Sequence, residues 1–454
     1  MILIESLKQS LLRFNKGNKR SVTTKKNIGY SLIIKGVGIC LSFLIVPLTI
    51  GYVNAELYGV WLTLSSILTW LTFFDIGFTQ GLRNKLGEAI ARDDWELGRK
   101  YVSTTYVVML AIFLPLCIIL EIITPLIDWA SLLNVNPKYT DDVIRALSVV
   151  IACFCMHMVL GVIGSVISAF QKVALASLIG VVGQVVSFLS VYLLSLFVEP
   201  SLFALSIAFS LMGLIVYFLA TLLMFHTQFH KVRPTLCYID KSCMGGIFNL
   251  GVKFFILQIQ YIVYYQTTNF LISHYVGPSD VTVYNIAYKY LNIVTMLFGI
   301  IVSPLWPAFT EAFVKNDMAW MNRIYTKMTR LYWLINLLIL VMLVLSPLVY
   351  KLWIGDKVSV PFLLTGILAL YVAITNWATL NVYIINGSGR ILLQTYITSI
   401  GMFIFIPVAI TFVQQIGFYG IVISLLMVNS VLAIVYTKQV SLMLSNQAQG
   451  IWIK

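Results

Sequence analysis

Charge is the scarcest property of this sequence: Asp, Glu, Lys and Arg make up 10% of its 454 residues, against 60% for the hydrophobic types. A water-exposed domain of that length needs far more polar surface to cover its core, so a soluble globular fold is excluded. Histidine and cysteine are also few, at four and six. The cysteines, Cys40, Cys117, Cys153, Cys155, Cys237 and Cys243, fall in apolar runs or on the side that charge assigns to the cytoplasm. A disulfide framework is therefore not expected and the thiols should be reduced. His226 and His230 stand one helical turn apart near Cys237 and Cys243. A zinc site there is conceivable, but the spacing is loose, and an interfacial face of snorkelling side chains is the better reading. The sequence has no nucleotide-binding loop, no Ser-His-Asp arrangement and no metal signature. The longest outer loop, about 129–141, offers only Lys138, Asp141 and Asp142, and the loop before the second apolar run only Glu56. A membrane enzyme is disfavoured on those grounds, and no catalytic residue, metal or cofactor is assigned. A cleavable signal segment ahead of the first apolar run is not expected either.

Long apolar runs are what the sequence has in quantity. Each reaches or exceeds the roughly 20 residues that a helix needs to cross a hydrocarbon layer. They predict spans at about 28–52, 56–82, 101–128, 142–170, 174–198, 201–226, 247–275, 280–310, 331–355, 359–386, 391–414 and 417–440. Two pairs are tight, separated only by Phe197-Val-Glu-Pro200 and Gln414-Gln-Ile-Gly417, where a re-entrant hairpin would read the same. Most of the 30 basic residues lie in one alternate set of segments: the N-terminal arm, the loops at 83–100, 171–173, 227–246, 311–330 and 387–390, and the tail. The other set carries Lys138, Lys351 and Lys357. That bias puts both termini in the cytoplasm of a multi-pass inner-membrane protein. The net charge of +13 is spread over many loops rather than gathered on one face, which argues against nucleic acid. Membrane lipid is the better partner, with Lys16, Lys19, Arg20, Lys25 and Lys26 resting on anionic head groups.

The two halves echo each other at an offset of about 223 residues. Asn27-Ile-Gly29 and Asn249-Leu-Gly251 open the first and seventh spans, and Tyr52-Val53 and Tyr275-Val276 end them. Glu88-Ala89 with Asp94 and Trp95 is answered by Glu311-Ala312 with Asp317 and Trp320. Polar turns follow the fourth span at Gln171-Lys172 and the tenth at Gly387-Ser-Gly-Arg390. Six helices per repeat keep both copies in the same orientation. The expected fold is thus an all-α integral membrane protein of about twelve transmembrane helices, in two parallel six-helix lobes around a central cavity. Its divisions would be a basic arm at 1–27, an N-lobe at 28–226, a cytoplasmic loop at 227–246, a C-lobe at 247–440 and a cytoplasmic tail at 441–454.

The segment Phe73-Phe-Asp75-Ile-Gly77-Phe-Thr-Gln-Gly81-Leu-Arg83-Asn-Lys-Leu resembles the end of the second helix in Wzx-type polysaccharide flippases of the multidrug/oligosaccharidyl-lipid/polysaccharide exporter superfamily. Glu88-Ala89 with Asp93-Asp94, Tyr284 and Tyr288, Pro304 and Pro307, and Asn386-Gly387-Ser-Gly389-Arg390 are similar to that family as well. The resemblance implies a transporter that moves undecaprenyl-diphosphate-linked oligosaccharide from the inner to the outer leaflet, with polysaccharide-assembly proteins as partners. A multidrug exporter of the same superfamily is the alternative.

Ionisable residues inside hydrocarbon are costly and so mark functional positions unless a partner explains them. Lys35 and Lys289 fall deep in the first and eighth spans, and Lys253 nearer the cytoplasmic end of the seventh; all three are candidates for a cationic cavity facing a diphosphate. Asp75 and Arg83 read either as an ion pair or helix cap fixing a cytoplasmic gate, the favoured reading, or as a carboxylate coupled to a proton or sodium gradient. Glu121 and Arg145 lie towards the outer face, where they could pair. His157, in the middle of the fourth span, is a packing residue or a proton relay. Pro47, Pro115, Pro304, Pro307 and Pro347 mark expected bends. Trp61, Trp306, Trp333 and Trp353 are expected interfacial anchors.

Overall fold

A backbone can cross lipid only where its own hydrogen bonds are closed, and a helix closes them segment by segment. The computed structural model describes residues 19–75, 77–170, 172–302, 305, 309, 312–313 and 315–453, and contains no strand among them. The long helices are α1 Lys19–Val53, α2 Ala55–Trp70, α3 Phe78–Ala91, α4 Trp95–Ile123, α5 Thr140–Leu160, α6 Val173–Phe197 and α7 Met212–His226. They continue as α8 Ser242–Tyr275, α9 Pro278–Val302, α10 Met318–Ile354, α11 Phe362–Ser388, α12 Leu392–Ile416 and α13 Phe418–Leu444. Nine stretches among the described residues are long and apolar enough to cross a membrane, and they fall on nine of the expected spans. The other three expected spans are helical too, carried by α2 with α3, by α8 and by α9. Pro304, Pro307 and Trp306 lie outside the described residues, as do residues 1–18 of the N-terminal arm.

The surface confirms the solvent. Along α10, Leu334, Leu338, Val341, Leu345, Leu348 and Leu352 are all exposed, at alternating spacings of four and three residues. An apolar stripe of that length would drive aggregation in water and is at rest in hydrocarbon. Pro47, Pro115 and Pro347 sit inside α1, α4 and α10, and Pro407 adds a fourth inside α12.

Both tight connections leave helices long and apolar enough to cross on their own: Ala174–Phe197 and Leu202–His226 on either side of one, Leu392–Ile416 and Phe418–Leu444 around the other. The first turn is held from two other helices. Asp142 on α5 accepts from the Leu202 amide at 2.6 Å, the Phe203 amide at 3.2 Å and the Ser201 hydroxyl at 2.9 Å, while the Tyr52 hydroxyl donates to the Glu199 carbonyl at 2.8 Å. The second reverses at Gly417, whose φ of 64° is open to glycine at no steric cost.

Two compact units share the chain. The first comprises Met1–Val53, Leu71–Asp128 and Tyr139–Ile256; the second comprises Asn54–Trp70, Trp129–Lys138 and Leu257–Lys454. Within the first, α1 packs on α6, α4 lies between α3 and α5, and α7 packs on α6. Within the second, α9 packs on α2 and α11, and α13 on α11 and α12.

The repeat seen in the sequence is a repeat of local geometry. Asp93 and Asn316 both adopt left-handed φ, 55° and 54°. Each is followed by an aspartate whose amide donates back to an alanine carbonyl, Asp94 to Ala89 at 3.0 Å and Asp317 to Ala312 at 2.9 Å. Each aspartate then caps the next helix, accepting from the Leu97 amide at 3.0 Å and the Trp320 amide at 2.9 Å. These caps carry α4 and α10 beyond the apolar runs: α4 begins at Trp95 and α10 at Met318, ahead of the expected starts at 101 and 331.

Candidate functional site

The second expected span is not one helix. After α2 the backbone tightens into a 3-10 turn, Leu71–Asp75, and restarts at Phe78 behind Gly77, whose φ is 76°. Asp75 sits at this break, buried, with one carboxylate oxygen accepting from the Thr79 hydroxyl at 2.7 Å and the other from the Thr79 amide at 3.2 Å. The side chain thus supplies an acceptor to the first turn of α3, which otherwise has unsatisfied amides. Arg83 is exposed, two turns along α3, and is in no ion pair among the described residues. Of the two forms the gate reading took, the structure has the cap and not the Asp75 to Arg83 pair. Asp75→Asn, which keeps one acceptor, should retain near-normal abundance and transport, and Asp75→Ala should lower folded yield with a thermal shift equivalent to about 1 kcal/mol. Loss of transport by Asp75→Asn in protein of unchanged melting temperature would instead assign the charge itself to coupling.

A second polar assembly lies inside the second unit. Asn285 on α9 donates to the Asn269 side-chain oxygen at 2.9 Å, Asn269 on α8 donates to the Ser66 hydroxyl at 2.7 Å, and Ser66 on α2 donates to the Leu62 carbonyl at 2.9 Å. Thr282, one turn before Asn285, donates from its hydroxyl to the Ala55 carbonyl at 2.7 Å. A chain of satisfied amides ties three helices where lipid offers no competing partner; interhelical hydrogen bonds of this kind average about 0.6 kcal/mol. Among the polar residues of the apolar runs the expectations rest on the charged ones, and these amides fall outside them. Their signal was present, since the expected spans that hold Asn269 and Asn285 carry other polar residues too, among them Gln266, Thr267, Thr268, Thr282 and Asn292.

Lys289 continues this polar face of α9. Thr282, Asn285 and Lys289 follow one another at spacings of three and four, which places them on one side of a helix, with Lys289 about 16 Å along the axis from Pro278. On a different side of the same helix, Tyr284 and Tyr288 stack on each other, ring centroids 5.8 Å apart and planes within 10°. The Lys289 face therefore carries a cation beside hydroxyl and amide groups whose donors are already engaged within the fold.

The remaining expected positions are dispersed. Lys35 and Lys253 lie on α1 and α8, but their side chains are outside the described residues. Glu121 on α4 is partly buried and Arg145 on α5 exposed, and neither is in an ion pair among the described residues. His157 on α5 packs edge-on against Tyr217 of α7 at 4.4 Å. His226 and His230 each donate from Nδ1 to a nearby carbonyl, Leu222 at 2.8 Å and Thr227 at 3.2 Å. The outer loop is clamped to helix ends: Ser273 and His274 donate to the Leu133 and Leu132 carbonyls at 2.9 and 2.8 Å, and Glu56 accepts from the Asn136 amide at 3.4 Å.

This helix arrangement is that of a known class of transporter. An inward-facing multidrug resistance MATE family transporter of the MOP superfamily superposes with a TM-score of 0.76 at 14% identity, over 90% of this chain and 95% of that one. An outward-facing MATE transporter of the same superfamily gives 0.61 at 16% identity, over 94% and 97%. A point mutant of the Vibrio cholerae MATE transporter VcmN gives 0.61 at 13% identity, over 95% and 99%. The fold is therefore the two-lobed MATE type, and the protein is a multi-pass membrane protein. None of the curated proteins matches the sequence. Residues 24–313 match the family described as "Polysaccharide biosynthesis protein", and the chain belongs to that family.

Proposed function

We propose that this protein carries a lipid-linked oligosaccharide, joined through a diphosphate, from the inner to the outer leaflet of the bacterial cytoplasmic membrane by ion-gradient-coupled alternating access between an N-lobe at 28–226 and a C-lobe at 247–440. Membership of the polysaccharide biosynthesis family carries the reading. The charge on α9 supports it: a lysine within a membrane helix suits an anionic cargo better than an organic cation. Lys35 and Lys253 would join Lys289 in the cationic cavity, and both termini would lie in the cytoplasm. Multidrug export is the second reading, because the solved structures of like fold are multidrug transporters.

The test is transport in proteoliposomes. A fluorescent diphosphate-linked oligosaccharide is loaded into one leaflet, a proton or sodium gradient is imposed, and arrival in the other leaflet is followed beside a cationic dye. Gradient-dependent movement of the lipid-linked sugar is expected. Movement of the dye alone would overturn the proposal and leave an exporter of cations.

A further inference from the structure

The segment 227–246, expected to be a connecting loop, is built as a rigid platform on the first unit. The Thr235 amide donates to the Ser103 hydroxyl at 3.0 Å, the Asp240 amide to Thr104 at 3.0 Å, and the Arg99 guanidinium to the Arg233 carbonyl at 3.0 Å. Phe229 is fully buried against Phe170, Val232 is fully buried beside Gly98 of α4, and Cys243 is buried too. A loop pinned at that many points has a defined outer face. That face is apolar at its tip: Leu236 is 80% exposed on the 3-10 turn Leu236–Tyr238, and Ile239 and Met244 are exposed beside it.

Around the tip stand His230, Lys231, Arg233 and Lys241, all exposed. Two of the nearby acids, Glu96 and Asp240, are already engaged. They face Lys100 at 3.3 and 3.8 Å, and Asp240 also accepts from the Ser242 hydroxyl, which with the Ser242 amide holds its carboxyl below the ordinary carboxylate range. Aromatics support the cations from below: Lys231 lies 4.5 Å over the Trp95 ring and Arg99 4.4 Å over Tyr238. The platform sits where α4 begins and α7 ends, two segments long and apolar enough to cross the bilayer, so its outer face lies at the depth where head groups begin.

We infer that this platform is a lipid anchor, which inserts Leu236 into the head-group boundary while Lys231, Arg233 and Lys241 hold anionic phospholipid. An aqueous loop gains nothing from an apolar tip held rigidly outwards, and a cationic rim alone would serve any polyanion. The two together fit a charged lipid surface. The anchor fixes the unit that carries α4 relative to the leaflet, whatever the cargo, so its failure would leave the flippase reading untouched.

The test uses the full chain in nanodiscs. Bimane on Cys237, with the signal of a Cys237→Ser control subtracted, should be quenched by shallow brominated lipid and little by aqueous iodide. In parallel, the melting temperature should rise when phosphatidylglycerol replaces part of the phosphatidylcholine. A Lys231→Gln/Arg233→Gln/Lys241→Gln variant should lose most of that rise while melting normally in phosphatidylcholine alone. Each basic residue close to an anionic surface changes partitioning by about fivefold, so the triple variant is well outside error. Iodide quenching without lipid quenching would overturn the anchor and make the tip a face for a protein partner. An undiminished phosphatidylglycerol response in the triple variant would overturn the role of the cations.

Discussion

Gly59→Ala should sharply lower both the folded yield and the melting temperature of the purified protein, although alanine is the better helix former by about 1 kcal/mol. Gly59 lies on α2 where that helix crosses the start of α9, and an added β-carbon would overlap the Pro278 carbonyl. The obstacle is backbone, which cannot rotate aside as a side chain can. Overpacking of a rigid site costs typically about 1–3 kcal/mol and more where backbone must move, so the clash outweighs the propensity gain. The neighbours explain why the crossing has to be this close. Ala55 accepts from Thr282 on α9, and Thr63, one turn beyond Gly59, returns its hydroxyl to the Gly59 carbonyl at 3.0 Å. Small residues at 55, 59 and 63 form the stripe along which two membrane helices approach. Gly87→Ala on α3 is the control, because nothing lies within 4 Å of a β-carbon there. It should melt at or above the wild-type temperature. If Gly59→Ala did the same, the close crossing of α2 and α9 would be wrong.

Helices were legible in the sequence because hydrocarbon imposes a length on apolar runs, and that length is easy to read. Their ends were less so. α4 starts at Trp95 because Asp94 caps it in the polar region, and hydropathy registers only the part of a helix that meets lipid. The break at Leu71–Asp75 was hidden for a related reason: the residues around it are apolar, no proline marks it, and the signal reduces to Gly77 and the Asp75 to Thr79 spacing. Asp142 was read as an outer-loop acid. Its role as the cap of a turn 60 positions away depends on two helices being brought together, which no local pattern encodes. The amide chain through Ser66, Asn269 and Asn285 carries no charge to mark it within its spans. In a membrane, an uncharged amide needs a partner nearly as much.

Lys289→Met should abolish movement of the diphosphate-linked sugar, by tenfold or more, while leaving the melting temperature equal to or above that of the wild type. A lysine in this position is costly. Insertion of lysine at the centre of a membrane helix is unfavourable by about 2.5–3.5 kcal/mol on biological scales. Partners within the fold seldom repay that cost in full, and replacing a buried charge by an apolar group of similar volume is often neutral or stabilising. Methionine, of similar length and apolar, relieves the desolvation and removes the charge that the proposed function assigns to cargo binding. Stability and transport should then move in opposite directions, which loss of folding cannot mimic. Lys289→Arg keeps the charge but alters its shape, and should retain part of the transport because a diphosphate accepts either cation. Dye transport, if any, should be indifferent to all three side chains. A fall in melting temperature alongside lost transport would give Lys289 a structural role and remove the support that α9 lends to an anionic cargo.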